Sequence, residues 1–169
     1  CCATGRVTRI LIADVSGHGQ TVAEYAVKLK NLMHRYSNYI SQQKLVRDLN
    51  KSFANYTSGG KFATAVAMTY FSPTGLLTFS NAGHPTPFLY QASTKQWRLL
   101  ETDGKSLSDE SGERTDLPLG VVDNAVYSQS KVQLEFDDIV MLYTDSLIDA
   151  RGVGGERLGV NGILKLMQT

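Results

Sequence analysis

Two aspartates carry the chemistry this sequence can perform. Asp14 closes the apolar run of residues 6–13 (RVTRILIA), Asp145 closes residues 139–144 (IVMLYT), and the hydrophobic pattern breaks after each. A carboxylate at the end of a strand on a rigid sheet is a means of fixing a hard oxygen ligand for Mg²⁺ or Mn²⁺. Capping the next helix or turn is the commoner work of such an Asp, so spacing alone leaves both roles open. Other chemistry fits less well. Gly17-His18-Gly19 lacks the third glycine and the following parallel unit of a dinucleotide fingerprint. Ser16 has Asp14 where a nucleophile elbow requires glycine. His18, His34 and His84 are scattered rather than paired as a zinc site needs.

The elements that must position these residues can be read from periodicity. Residues 6–13 read as a strand. Over Gln20–Tyr36, Val22, Ala26, Leu29, Met33 and Tyr36 recur every three or four positions, which predicts an amphipathic helix. Ser41 caps a second helix over residues 42–56, with Leu45, Leu49, Phe53 and Tyr56 on one face. Residues 62–71 and 76–80 form a hairpin around Ser72-Pro73-Thr74-Gly75, a type I turn by composition. Residues 81–87 (NAGHPTP) read as a turn, and residues 88–90 and 97–100 as a shorter hairpin. Residues 101–116 are polar throughout and read as a long loop of the kind that is often functional. Strands over 127–136 and 139–144 follow, then short helices from Leu147 and Val160. One strand, two helices, a run of strands and a terminal helix predict an α+β fold: two packed antiparallel β-sheets flanked by helices, not a doubly wound parallel sheet.

Composition sets outer limits. The 169 residues carry 17 Lys+Arg against 16 Asp+Glu, a formal charge of +1, with 42% hydrophobic residues. That describes a single globular domain over residues 1–169 and excludes a disordered polyelectrolyte. Charge so near balance offers no broad cationic surface for nucleic acid or anionic membrane. No apolar run approaches the ~20 residues of a membrane span, and no signal peptide is visible. The two cysteines, Cys1 and Cys2, are adjacent and cannot staple distant segments, so a reducing, cytoplasmic setting is expected. The chain opens almost directly on a strand and closes in a helix, so it is expected to be a partial domain, incomplete at both termini.

Four segments in order carry a resemblance to a known family: residues 12–19 (IADVSGHG), 79–85 (FSNAGHP), 117–121 (LPLGV) and 142–146 (LYTDS). Together they resemble the metal-dependent PP2C-like protein phosphatases, in the bacterial RsbU/SpoIIE branch. The resemblance implies a PP2C-like α/β/β/α sandwich in which Asp14 bridges two Mn²⁺ or Mg²⁺ ions. Val15 offers its backbone carbonyl to one ion, and Asp145 is the ligand from a central strand. It further implies two-metal hydrolysis of phosphoserine or phosphothreonine with no protein nucleophile. The substrate would be a STAS-domain anti-sigma factor antagonist, in sigma-factor regulation by partner switching, with a sensory domain fused upstream.

The same resemblance marks departures. The family's Gly-Gly-Asp ligand upstream of IADVSGHG and its later strand-borne Asp fall outside residues 1–169. Ser146 stands where the family usually has glycine after the metal Asp. These motivate a rival reading, a pseudophosphatase or regulatory binding module that keeps the fold. His18 is the candidate proton donor to the leaving serine oxygen or serves loop packing, the packing role being favoured. His84 either lines the site or stabilises a tight turn, the turn being favoured. Asp149 is either behind Asp145 on one helical face or a solvated acid. Residues 101–116 are the candidate for substrate or regulatory contacts.

Overall fold

Strand β2 (Val7–Val15) shows most plainly how the sequence builds the fold. Its β-branched and apolar side chains alternate across the pleat, and it pairs antiparallel with β3 (Ala63–Phe71) in one unbroken register, from Val7 opposite Phe71 to Val15 opposite Ala63. Leu11, Ala13 and Val15 therefore share one face with Ala67, Ala65 and Ala63. The row of alanines lets helices come close. Helix α1 (Gln20–Tyr36) presents Tyr25, Leu29, Leu32 and Met33, and α2 (Gln42–Ala54) presents Leu45, Val46, Leu49 and Phe53, to form one core over that face. Leu49 and Phe53 are wholly buried, each worth about 1.5–3 kcal/mol of transfer free energy.

The computed structural model describes residues 2–3, 5–57, 60–100, 116–152 and 154–168. They fall into two compact units, Cys1–His84 with Thr102–Gln133, and Pro85–Glu101 with Leu134–Thr169. The first holds a five-stranded antiparallel sheet in the order β1-β2-β3-β4-β7, where β1 is Cys2–Ala3, β4 is Leu76–Ala82 and β7 is Ser130–Gln133. Both α1 and α2 belong to this unit. Ser41 caps α2 as expected, its hydroxyl accepting from the Lys44 N–H at 3.2 Å.

The second unit holds a three-stranded antiparallel sheet, β6-β5-β8, from β5 (Phe88–Gln91), β6 (Gln96–Leu99) and β8 (Ile139–Met141). Helices α3 (Asp145–Ile148) and α4 (Gly159–Met167) complete it. Its core is small: Phe88, Tyr143 and Ile163, with Trp97, Leu99, Leu147 and Leu164 against them. The architecture is α+β with two antiparallel sheets, as the element order implies.

Boundaries differ from expectation in physically sensible ways. The strand foreseen over 139–144 stops at Met141. Tyr143 turns aside to stack on Phe88 at 5.0 Å between centroids, and its hydroxyl donates to the Thr86 carbonyl at 2.9 Å. The strand foreseen over 127–136 shrinks to Ser130–Gln133, because Tyr127 enters the core of the first unit and Ser128 is tied to Asp116. The turn foreseen from Asn81 begins later, since β4 runs through Ala82. Helix α2 ends at Ala54 rather than residue 56, and α3 starts at Asp145 rather than Leu147. Of the polar loop 101–116, only Asp116 lies within the described residues.

Candidate active site

Three of the four motif segments meet in the first unit. Asp14 and Val15 end β2, and the chain then turns through Gly17 and Gly19, both at positive φ (106° and 89°), into α1. Ser16 fastens that turn to the residues before β3. Its N–H donates to the Phe62 carbonyl at 2.9 Å, and the Phe62 N–H donates to the Ser16 hydroxyl at 3.1 Å. Asp14 thus stands directly opposite Thr64 on a strand pair held at its end by both backbone and side chain.

Residues 117–121 bind the far side of β3. Leu119 and Ala63 exchange N–H···O bonds of 2.9 and 2.7 Å. The wholly buried Asn50 of α2 fixes the segment, accepting from the Gly120 N–H at 2.8 Å and donating to the carbonyls of Val122 and Asp123 at 2.8 and 3.2 Å. All of its polar capacity but one lone pair is used, as burial of an amide requires.

The FSNAGHP segment closes the arrangement. Asn81 brackets the backbone of His84, accepting from its N–H at 2.7 Å and donating to its carbonyl at 2.8 Å. Gly83 sits between them at φ 67°, and a β-carbon there would lie 2.7 Å from Cγ of Pro118, so glycine alone fits. His84 is 5% exposed, and its Nδ1 is 2.8 Å from the Thr64 hydroxyl. The turn is thus closed by the Asn81 side chain on the His84 backbone, while the His84 ring reaches out of it to Thr64. The histidine also reaches the residue opposite Asp14.

The Asp14 carboxylate is half-buried and makes no hydrogen bond or ion pair among the described residues. A carboxylate without a protein partner keeps its oxygens available as donors for a cation. His18 is exposed and without a hydrogen bond among the described residues. The fourth motif lies in the second unit. Thr144 precedes α3 in an extended conformation, and Asp145 is the exposed first residue of that helix. Ser146 is exposed and helical, with no positive φ, so its backbone does not require glycine. Asp149 is exposed and pairs with Arg157 at 3.3 Å, which fits the solvated-acid reading.

A family model described as Stage II sporulation protein E (SpoIIE) matches residues 4–169. The chain belongs to the SpoIIE family. Among curated relatives, this SpoIIE-family chain is 26% identical over 145 residues to the phosphoserine phosphatase RsbP of Bacillus subtilis (strain 168), covering 83% of itself and 33% of RsbP. It is 25% identical over 147 residues to the phosphoserine phosphatase RsbU of the same organism, covering 86% of itself and 40% of RsbU. The chain therefore spans between a third and two-fifths of the length of these relatives.

Solved structures agree on the fold. The RsbU and RsbW domains of a Mycobacterium tuberculosis protein superpose at TM-score 0.75 with 24% identity, over 96% of this chain and 42% of that one. The SiaA-PP2C domain of Pseudomonas aeruginosa gives 0.72 with 16% identity, over 99% and 62%. RsbX in complex with magnesium gives 0.66 with 15% identity, over 99% and 75%.

Several residues of the arrangement escape a reading by motif. Thr64 and Asn50 have no local signature, because their partners are 20 and about 70 positions away. Asn81, three residues before His84 and two before a glycine, does carry the signal of a side-chain-closed turn.

Proposed function

We propose that this domain is a Mn²⁺- or Mg²⁺-dependent protein-serine/threonine phosphatase. The observation that carries the reading is Asp14, partly buried, its carboxylate unpaired among the described residues, on a strand end that backbone and side-chain hydrogen bonds tie to the residues before β3. In this reading Asp14 and Asp145 hold the cations with the Val15 carbonyl. When bound, the ions neutralise charge on the phosphoryl oxygens and make water acidic enough to serve as nucleophile. Magnesium in particular keeps much of its hydration and takes few protein carboxylates, so a sparse donor set suits it. The chain's own residues do the rest. The Ser16–Phe62 bonds keep Asp14 from drifting, and in this reading His18, exposed four residues further on, gives a proton to the leaving seryl oxygen.

The substrate of this reading is a phosphorylated STAS-type anti-sigma factor antagonist, and the setting is partner switching that frees a sigma factor in a bacterial cytoplasm, under a sensory domain upstream. Support comes from family membership and from RsbP and RsbU, which bear the name phosphoserine phosphatase. No helix among the described residues is long and apolar enough to cross a membrane.

A second reading has its own observation: among the described residues no three His, Cys, Asp or Glu side chains gather closely enough to hold a metal by themselves. That favours a non-catalytic module with the same fold. Titrating Mn²⁺ into the intact protein while following release of phosphate from a phosphoserine protein and from an aryl phosphate separates the two. The enzyme reading expects turnover that vanishes in Asp14→Ala. Metal-saturated protein without turnover on either substrate supports the module.

A further inference from the structure

Lys61 lies just before β3, in the residues that Ser16 ties to the Asp14 turn. Its ammonium rests on the backbone of that turn. A β-carbon on Gly17 would stand 2.6 Å from Lys61 Nζ and 3.7 Å from its Cε, so the glycine makes the space the lysine head occupies. On its other side the Lys61 carbonyl lies 3.2 Å from where a β-carbon of Gly120 would be, which places the residue between the first and third motif segments. Lys61 is half-buried, yet it makes no hydrogen bond or ion pair among the described residues. Asp14, also half-buried and unpaired, is three residues from Gly17, at most roughly 11 Å of extended chain.

A lysine ammonium in a protein commonly ends on a carboxylate or in solvent, and among the described residues no carboxylate takes the charge of Lys61. Here the Lys61 ammonium lies against Gly17 of the turn that follows Asp14, and the two charges form no ion pair with each other among the described residues. A phosphate ester brings the missing partner for the cation, and a lysine ammonium is a compact point charge well suited to non-bridging phosphoryl oxygens.

We propose that Lys61 binds the phosphoryl group of the substrate, gripping a non-bridging oxygen over Gly17. The proposal rests on the phosphatase reading and adds to it the residue that recognises the dianion independently of the metal ligands. It assigns Gly17 a role beyond turning the chain, since any side chain there would displace the ammonium.

The test uses the intact protein loaded with Mn²⁺, with inorganic phosphate as competitive inhibitor and a phosphoserine peptide as substrate. Lys61→Met should raise the phosphate inhibition constant and the peptide KM by roughly tenfold or more, the size expected when a charge-assisted hydrogen bond is lost. Lys61→Arg should recover most of that loss, and Mn²⁺ affinity should be the same in all three proteins. Thermal unfolding confirms that the variants are folded. A folded Lys61→Met protein whose phosphate inhibition and KM match the parent overturns the proposal and leaves the metal reading intact. Lys61-dependent phosphate binding in a protein whose turnover and Mn²⁺ affinity survive Asp14→Ala keeps Lys61 and removes the metal reading instead.

Discussion

The two units of this chain present their motif aspartates in opposite ways. Around Asp14 the neighbouring segments are fastened at several points among the described residues: Ser16 to Phe62, Leu119 to Ala63, Gly120 to Asn50, His84 to Asn81 and Thr64. A β-carbon on Gly83 would strike Pro118, and one on Gly120 would press tightly on the Lys61 carbonyl and Phe53. Around Asp145 there is a four-residue helix, an N-cap without a side-chain bond, and a small cluster of Phe88, Tyr143 and Ile163. One unit invests in rigidity and the other offers an exposed carboxylate on a small support.

Asp14→Ala should break the contrast most sharply. Turnover should fall at least about a hundredfold, as befits loss of a metal ligand. Folding free energy should move by less than about 1 kcal/mol, since the carboxylate has no partner among the described residues to lose. Denaturant unfolding beside a phosphate-release assay reads both. A large stability loss would show that Asp14 is structural.

The supports themselves come next. Phe53→Ala, at a wholly buried site against Tyr25 and Gly120, should cost about 3–5 kcal/mol. Ile163→Ala, 4% exposed in the smaller core, should cost about 2–5 kcal/mol. Hydrogen exchange should place the first loss in α1, α2, β2 and β3, and the second in α3, α4 and β5. Losses spread evenly over both units in either variant would contradict the division.

Much of the rigid half was legible. Helix α1 falls on Gln20–Tyr36 because its apolar spacing is regular and glycine precedes it. The β3–β4 hairpin follows from Ser72-Pro73-Thr74-Gly75, whose Gly75 N–H reaches the Ser72 carbonyl at 3.4 Å. The four motif segments place the candidate residues. What escaped depends on long-range pairing. Nothing near Thr64 in sequence announces His84 20 positions on, and nothing near Lys61 announces Gly17. Strand ends in the smaller unit escaped for a related reason, since an apolar run cannot say at which residue a side chain such as Tyr143 leaves the sheet for the core.

A smaller effect probes the core of the first unit through pH. Burial, reinforced by the negative charge of Asp116, pushes the Tyr127 phenol well above the ordinary tyrosine value of 10.0. Its folded-state pKa is raised, so the stability it contributes is full below pH ~10 and declines as pH climbs from there toward the folded value. Tyr127→Phe should therefore flatten the fall of stability between about pH 10 and 12. At pH 7 the substitution should cost little, because the buried hydroxyl has no hydrogen-bond partner among the described residues. An unchanged alkaline slope would contradict this.

The smallest effect concerns Ser146. Since the residue is exposed and helical, Ser146→Gly should lower stability by less than about 1 kcal/mol and change turnover by less than about twofold. A large gain in turnover would mean that the hydroxyl or β-carbon obstructs the second unit's contribution.

The most direct test of the account is a double-mutant cycle on Mn²⁺ affinity with Asp14→Asn, Asp145→Asn and the pair, read by calorimetry on the intact protein. If both carboxylates hold the same cation pair, each single change weakens binding and the double change costs clearly less than the two losses added together. Either replacement leaving Mn²⁺ affinity untouched, or two losses that simply add, would contradict a shared site.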